Sequence, residues 1–211
     1  MAVNKIVNRR TKTHKSLMNV LSYVLRDDKA REGYIAITGP FPSLSISAKE
    51  VYNRWIEEKK CWDKDSGRMY THNIISFAPN EKITPEEVLD IGKKFCDKFF
   101  PTNQSVLSVH QDKGHLHCHI VSNTVSYING KKLHQSKHDL EAQKAYTNLL
   151  CKQKGLKIAE KGHHFDGTPL EAGEVISWSK DKYNLMHHDK NSFISKNEEI
   201  DIEMEEEDYE Y

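Results

Sequence analysis

The chain has 211 residues, 37% hydrophobic and 29% charged, enough for one substantial domain with a buried core. No run approaches the roughly 18 apolar residues that a membrane span requires, so membrane insertion is not expected, and the four cysteines (Cys61, Cys96, Cys118, Cys151) form no CxxC pair, which argues against a zinc ribbon or disulfide framework. The formal net charge of zero hides an asymmetry: residues 197–211 carry nine acids and no Lys or Arg, leaving 22 acids against 31 basic residues in 1–196, a formal +9 that points to a polyanionic partner and to a tail that competes for its surface or makes protein contacts.

The N-terminus, MAVNKIVNRRTKTHK, lacks the apolar core of a signal peptide, which predicts a cytoplasmic protein. Residues 3–8 read as a short first strand. Thr13 is placed to cap a helix in which Leu17, Val20, Leu21 and Val24 repeat at i, i+3, i+4 and i+7. Tyr23 lies on the edge of that stripe, so its ring can pack while its hydroxyl reaches outward. The segment GYIAITGPFPSLS predicts a strand and then a loop, and SAKEVYNRWIEEKKCW a helix with Val51, Trp55 and Ile56 inward. MYTHNIISFAP predicts a strand with Tyr70, His72, Ile74 and Ser76 on one face. Thr84 as N-cap, Pro85 at the first helical position and acids in the first turn mark the next helix, which Pro101 closes. QSVLSVH, the polar turn QDKG and HLHCHIVSNTVS outline a hairpin. A last helix over SKHDLEAQKAYTNLLCKQKG ends at Gly155, a C′ glycine. Strands alternating with long helices around a central hairpin predict an α+β fold, with a central antiparallel or mixed sheet and helices packed on it. The expected organisation is a domain over 1–160, an irregular extension over 161–196 and an acidic, disordered tail over 197–211.

The hairpin carries the chemistry. Strand alternation puts His115, His117 and His119 on one face and Leu116, Cys118 and Ile120 on the other, which must be the core face. Leu107 and Val109 supply the matching core side of the preceding strand. His110 falls on the histidine face, across from His115 or His117 depending on register, within about 5.5 Å for direct neighbours. Three imidazoles with open positions describe a catalytic metal site rather than a structural one. Asp112, in the turn, is placed to hold a ligand histidine's second N–H. The spacing differs from the HExxH helix of zinc proteases, because these ligands sit on strands.

These residues resemble a known family. His117-Cys118-His119 fits the histidine–hydrophobic–histidine signature of HUH endonucleases, and His110, Asp112, His117, His119, Ile120 and Asn123 match the longer third motif of plasmid mobilisation relaxases. The likeness is closest to the P-type mobilisation relaxases of plasmids and integrative conjugative elements. LSYVLRDDK offers the early tyrosine, Tyr23, with basic Arg26 and Lys29 after it, and HNIISFAPNE offers the Ser-Phe motif, Ser76 and Phe77. The resemblance covers about residues 1–160. It implies a bacterial DNA relaxase in which Tyr23 attacks a phosphodiester at an origin of transfer, leaving a 3′-hydroxyl and a 5′-phosphotyrosine. Tyr127 is the alternative nucleophile. Tyr23 and Asp112 are the expected catalytic residues. The favoured metal set is His110, His117 and His119, with His115 and Asn123 as outer partners or alternative ligands. Arg26, Lys29, Ser76 and Phe77 are expected to contact DNA. The implied cofactor is Mn²⁺ or Mg²⁺, with Zn²⁺ compatible with three imidazoles. The implied partners are single-stranded origin DNA and accessory mobilisation proteins. Bases would stack on aromatics, for which Trp55, Trp62, Phe77 and Tyr127 are candidates, and Arg9, Arg10, Lys12 and Lys15 could track phosphates. Two other functions fit the same residues: a metal-dependent hydrolase with water as nucleophile, and a non-catalytic DNA-binding accessory protein.

Overall fold

A computed structural model describes residues 2–7, 11–26, 30–41, 46–79, 81–111, 115–158 and 169. The expected acidic tail, almost all of the 161–196 extension, Arg9, Arg10, Lys29 and Asp112 lie outside the described residues. Among the described residues, nine elements follow in chain order: β1 (Ala2–Val7), α1 (His14–Val24), β2 (Ala30–Thr38), α2 (Ala48–Cys61), β3 (Tyr70–Phe77), α3 (Pro85–Phe99), β4 (Ser105–His110), β5 (His117–Asn123) and α4 (Lys137–Gln153). All five strands join one sheet in the order β1-β3-β5-β4-β2, and every strand pair is antiparallel.

Each helix begins on a local signal. Thr13, Ser47, Thr84 and Ser136 cap α1, α2, α3 and α4, each in a reciprocal capping box with the residue three positions on. Gly155, at φ 69°, ends α4. Its N–H bonds the Lys152 carbonyl and the Leu156 N–H bonds the Cys151 carbonyl, the paired closure of a Schellman turn that favours glycine in the left-handed conformation.

Helices cover both faces of the sheet. α3 and α4 pack on the face that carries Ile75, Leu107, Cys118 and Ile120. α1 and α2 cover the other, with Leu17, Leu21 and Trp55 against Val106 and Val121. Burying each large aliphatic side chain in these layers contributes roughly 1.5–3 kcal/mol. Trp55 is thus core, and so is Phe77, at 2% exposure beneath the α3–α4 layer. The expectation that Phe77 contacts DNA is corrected: alternation along β3 turns its ring away from the face that holds Ser76.

β5 is the central strand and is buried along its whole length. The three strand-borne histidines are therefore not a solvated ribbon. They lie under the α1–α2 layer, beside the C-terminal end of α1.

Candidate metal and nuclease centre

The register of the central hairpin pairs His110 directly with His117, so the two rings start from neighbouring Cα positions on one face. Ring centroids are 5.5 Å apart for His110–His117, 4.9 Å for His117–His119 and 4.4 Å for His110–His119. All three residues are buried, and one ring nitrogen from each lies within 4.8 Å of the others. Three nitrogens about 2.1 Å from one ion would stand roughly 3.0–3.4 Å apart, a separation that small ring rotations reach from this span. Neutral imidazole is a good ligand for divalent transition ions, so the donor set fits a metal with open coordination positions.

Two outer contacts orient the triad. His110 Nε2 lies 3.0 Å from the Val24 carbonyl oxygen. A carbonyl only accepts, so Nε2 carries the proton and Nδ1 keeps the lone pair. The acceptor is one of the last carbonyls of α1, which has no intrahelical partner to lose. The negative end of the helix dipole also favours positive charge nearby. His119 Nδ1 lies 2.9 Å from His72 Nε2, and those two rings sit 5.1 Å apart at 33°. This leaves Nε2 as the inward nitrogen of His119. His110 Nδ1 and His119 Nε2 are both buried. Burial, and secondarily the nearby His110, lowers the His72 pKa to about 3, so its imidazole is neutral at physiological pH.

Tyr23 stands in the last turn of α1, half-buried, with its ring 5.5 Å from His119 and 5.8 Å from His110. One helix end thus presents the tyrosine and the carbonyl that holds His110. Arg26, three residues on, is exposed. Ser76 is the β3 neighbour of His117 and lies on the same face. His115 is not one of the three convergent residues; its ring stacks beside His117 at 5.1 Å and 33°.

Asn123 is placed elsewhere. It is four positions beyond His119 on β5, about 13 Å along the strand, and its Oδ1 accepts from Lys59 Nζ and from the Val125 N–H. Neither an alternative-ligand nor an outer-partner role at the triad fits that position. Tyr127 lies past the same end of β5, its hydroxyl donating to the Pro101 carbonyl at 3.2 Å. Trp62, 38% exposed, is also at that end, packed against Gly130 and bonded to Glu58.

Sequence reasoning missed His72 and the Val24 carbonyl. His72 had a signal, since alternation already put it on the Ser76 face. A backbone carbonyl leaves none.

Comparison with known proteins gives the chain a family. The family model described as relaxase, MobA/VirD2-like, nuclease domain, matches residues 23–156, from the tyrosine at the triad to the end of the α4 turn. The chain belongs to the MobA/VirD2-like relaxase family. A protein named Rlx from Staphylococcus aureus is 30% identical over 141 residues, covering 64% of this chain and 44% of its own length. The group II intron-interrupted relaxase LtrB of Lactococcus lactis is 27% identical over 113 residues, covering 47% of this chain and 20% of its own. The chain therefore spans less than half the length of these relatives. A solved structure from work on the molecular basis of vancomycin resistance transfer in Staphylococcus aureus overlaps 78% of this chain and 98% of its own, at 12% identity and a TM-score of 0.47. Among the described residues, no helix of this chain is long and apolar enough to cross a membrane.

Proposed function

We propose that this chain nicks one strand of DNA at an origin of transfer, using Tyr23 as the nucleophile. The observation that carries the reading is the packing of the Tyr23 ring against His119 and His110, two of the three convergent imidazoles. The Tyr23 hydroxyl oxygen forms a bond to phosphorus, the bond to the 3′-oxygen breaks, and that oxygen leaves as a 3′-hydroxyl once protonated. The product is a 5′-phosphotyrosine, which conserves the phosphoester for rejoining without ATP. His110, His117 and His119 would hold a divalent ion. When bound, it supplies Lewis acidity toward the phosphate oxygens and so lowers the cost of developing charge.

The protein residues do the positioning. α1 fixes Tyr23 in its last turn, so little freedom is lost when the phosphate arrives. Free tyrosine has a pKa of about 10, so attack at neutral pH needs help with its proton. Asp112, between β4 and β5 in sequence, is the proposed carboxylate of this network. Arg26 and Lys29 are the proposed phosphate contacts, and Ser76 lines the approach beside His117. Mn²⁺ or Mg²⁺ is the proposed working ion, with Zn²⁺ favoured by the three nitrogen donors in purified protein. Single-stranded origin DNA, accessory mobilisation proteins and a protein-contacting role for the acidic tail complete the proposal.

The test is a labelled single-stranded origin oligonucleotide incubated with Mn²⁺ and run on a denaturing gel. A covalent protein–DNA adduct is expected with the native chain and none with Tyr23→Phe. Cleavage without an adduct would establish water as the nucleophile. Binding without cleavage would establish an accessory role.

A further inference from the structure

Three features of the molecule stand outside the chemistry above: the buried Lys59 at the far end of β5, a basic recess lined by Lys64, Lys131 and Lys132, and His72. The contacts of His72 carry the most. It lies on β3, 47 residues from His119 in sequence, and is 1% exposed. The β3–β5 register sets His72 opposite Val121 and Ile74 opposite His119, so His72 meets His119 on the diagonal rather than directly. Nε2 of one ring and Nδ1 of the other are 2.9 Å apart, a hydrogen bond between two imidazoles.

We propose that His72 is the positioning residue of the metal centre: its Nε2 accepts the Nδ1–H of His119, locks that ring's tautomer and aims Nε2 at the ion. The inference rests on the triad being a metal site. A neutral pair of imidazoles shares one proton between the facing nitrogens. If His72 donated it, His119 would carry its own proton on Nε2 and could not ligate there. Only the arrangement with His119 as donor is compatible with His119 as a ligand. His72 then carries its proton on Nδ1.

The chemical consequence concerns charge. Outer partners of ligand histidines are often carboxylates, which make the ligand more basic and the site more negative. Here the two outer partners seen, the Val24 carbonyl and His72, are both neutral. They fix ring orientation, and the negative charge of this network is that of the proposed Asp112 carboxylate.

The test uses the full chain with Mn²⁺ and Zn²⁺ as probes. His72→Phe keeps a ring in the buried space and removes the acceptor. It is expected to weaken metal binding by about 10–100-fold in calorimetric titration. His72→Gln places a carbonyl oxygen near the same point and is expected to recover most of that loss. In the Zn²⁺-loaded native chain, long-range ¹H–¹⁵N spectra should show His72 protonated on Nδ1 and His119 on Nδ1, a signature independent of any variant's folding. A native chain that binds metal with His72 protonated on Nε2, or a folded His72→Phe that binds as tightly as native, overturns this role and leaves the triad standing. A native chain that binds neither ion overturns the metal reading and this inference with it.

Discussion

His115 and His117 are two residues apart and stack at 5.1 Å, yet only His117 joins the convergent group. The difference is the strand. β5 begins at His117, so His117 and His119 are held by ladders to β4 and β3 on both sides, whereas His115 precedes it. Truncating a ligand removes a bond to the ion; truncating a neighbour removes only ring packing. His117→Ala is therefore expected to lose Mn²⁺ binding by at least about 100-fold, and His115→Ala by less than about 10-fold, in parallel titrations. Equal losses would place His115 among the ligands. At this scale the sequence was legible wherever one period decided the matter. Alternation alone put His110, His117 and His119 on one face and Cys118 on the other. The same period, applied to β3, separates Ser76 from Phe77, and the motif's wording hid that. His72 needed the register of two strands distant in sequence, which no local pattern contains.

Helix starts were legible at the level of elements because a cap is a local event. Thr13 and Thr84 each cap a helix at the expected residue. How closely a helix approaches the sheet was not, since that depends on pairs of small residues far apart in the chain. α3 packs on β5 at Gly92, where an added Cβ would come within 2.8 Å of Cys118 Sγ and 2.9 Å of Leu107 Cδ2. This explains the small residue between His117 and His119: Cys118 and Gly92 together let α3 close down on the strand. Burial pushes the Cys118 thiol far above its ordinary pKa, so it acts as packing rather than as a nucleophile. Gly92→Ala gains about 1 kcal/mol of helix propensity but overpacks a full core, which typically costs about 1–3 kcal/mol. A net loss of about 1 kcal/mol is expected in urea denaturation. Adding Cys118→Ala should recover part of it, because the clash is shared; strict additivity of the two changes would show that they do not touch.

Stability against pH belongs to the whole molecule, because the groups that control it lie in both layers. Lys59 is fully buried between α2 and the end of β5, with Nζ bonded to Asn123 and 3.4 Å from the Thr124 hydroxyl, both neutral acceptors. Burial first, and then the charge of Lys132, lower its pKa to about 7, against the weaker pull of Asp65 and Glu58. An unfolded lysine titrates near 10.4. Between pH 7 and 9 the unfolded chain therefore holds a proton that the folded chain has largely released, and stability rises with pH, by about 2 kcal/mol over that window for one such group. Above pH 9 the trend reverses. Burial raises Cys96 to about 12, Cys151 to about 11 and Tyr70 to about 12. Those groups ionise more readily when unfolded, so their contribution is present below the unfolded pKa and is lost as pH climbs past it. On the acid side, His72 with its pKa near 3 makes stability fall as pH drops below about 6.5. The metal-free chain is thus expected to be most stable near pH 9, and urea midpoints from pH 5 to 10 would trace the curve. Lys59→Met removes the group responsible for the rise. It should flatten the midpoint between pH 7 and 9 and leave the acid limb in place, since the hydrogen bond of His72 is to His119, four residues before Asn123 on β5. A rise that survives in Lys59→Met would mean that another buried base controls it, and that Lys59 reaches water well enough to keep its proton.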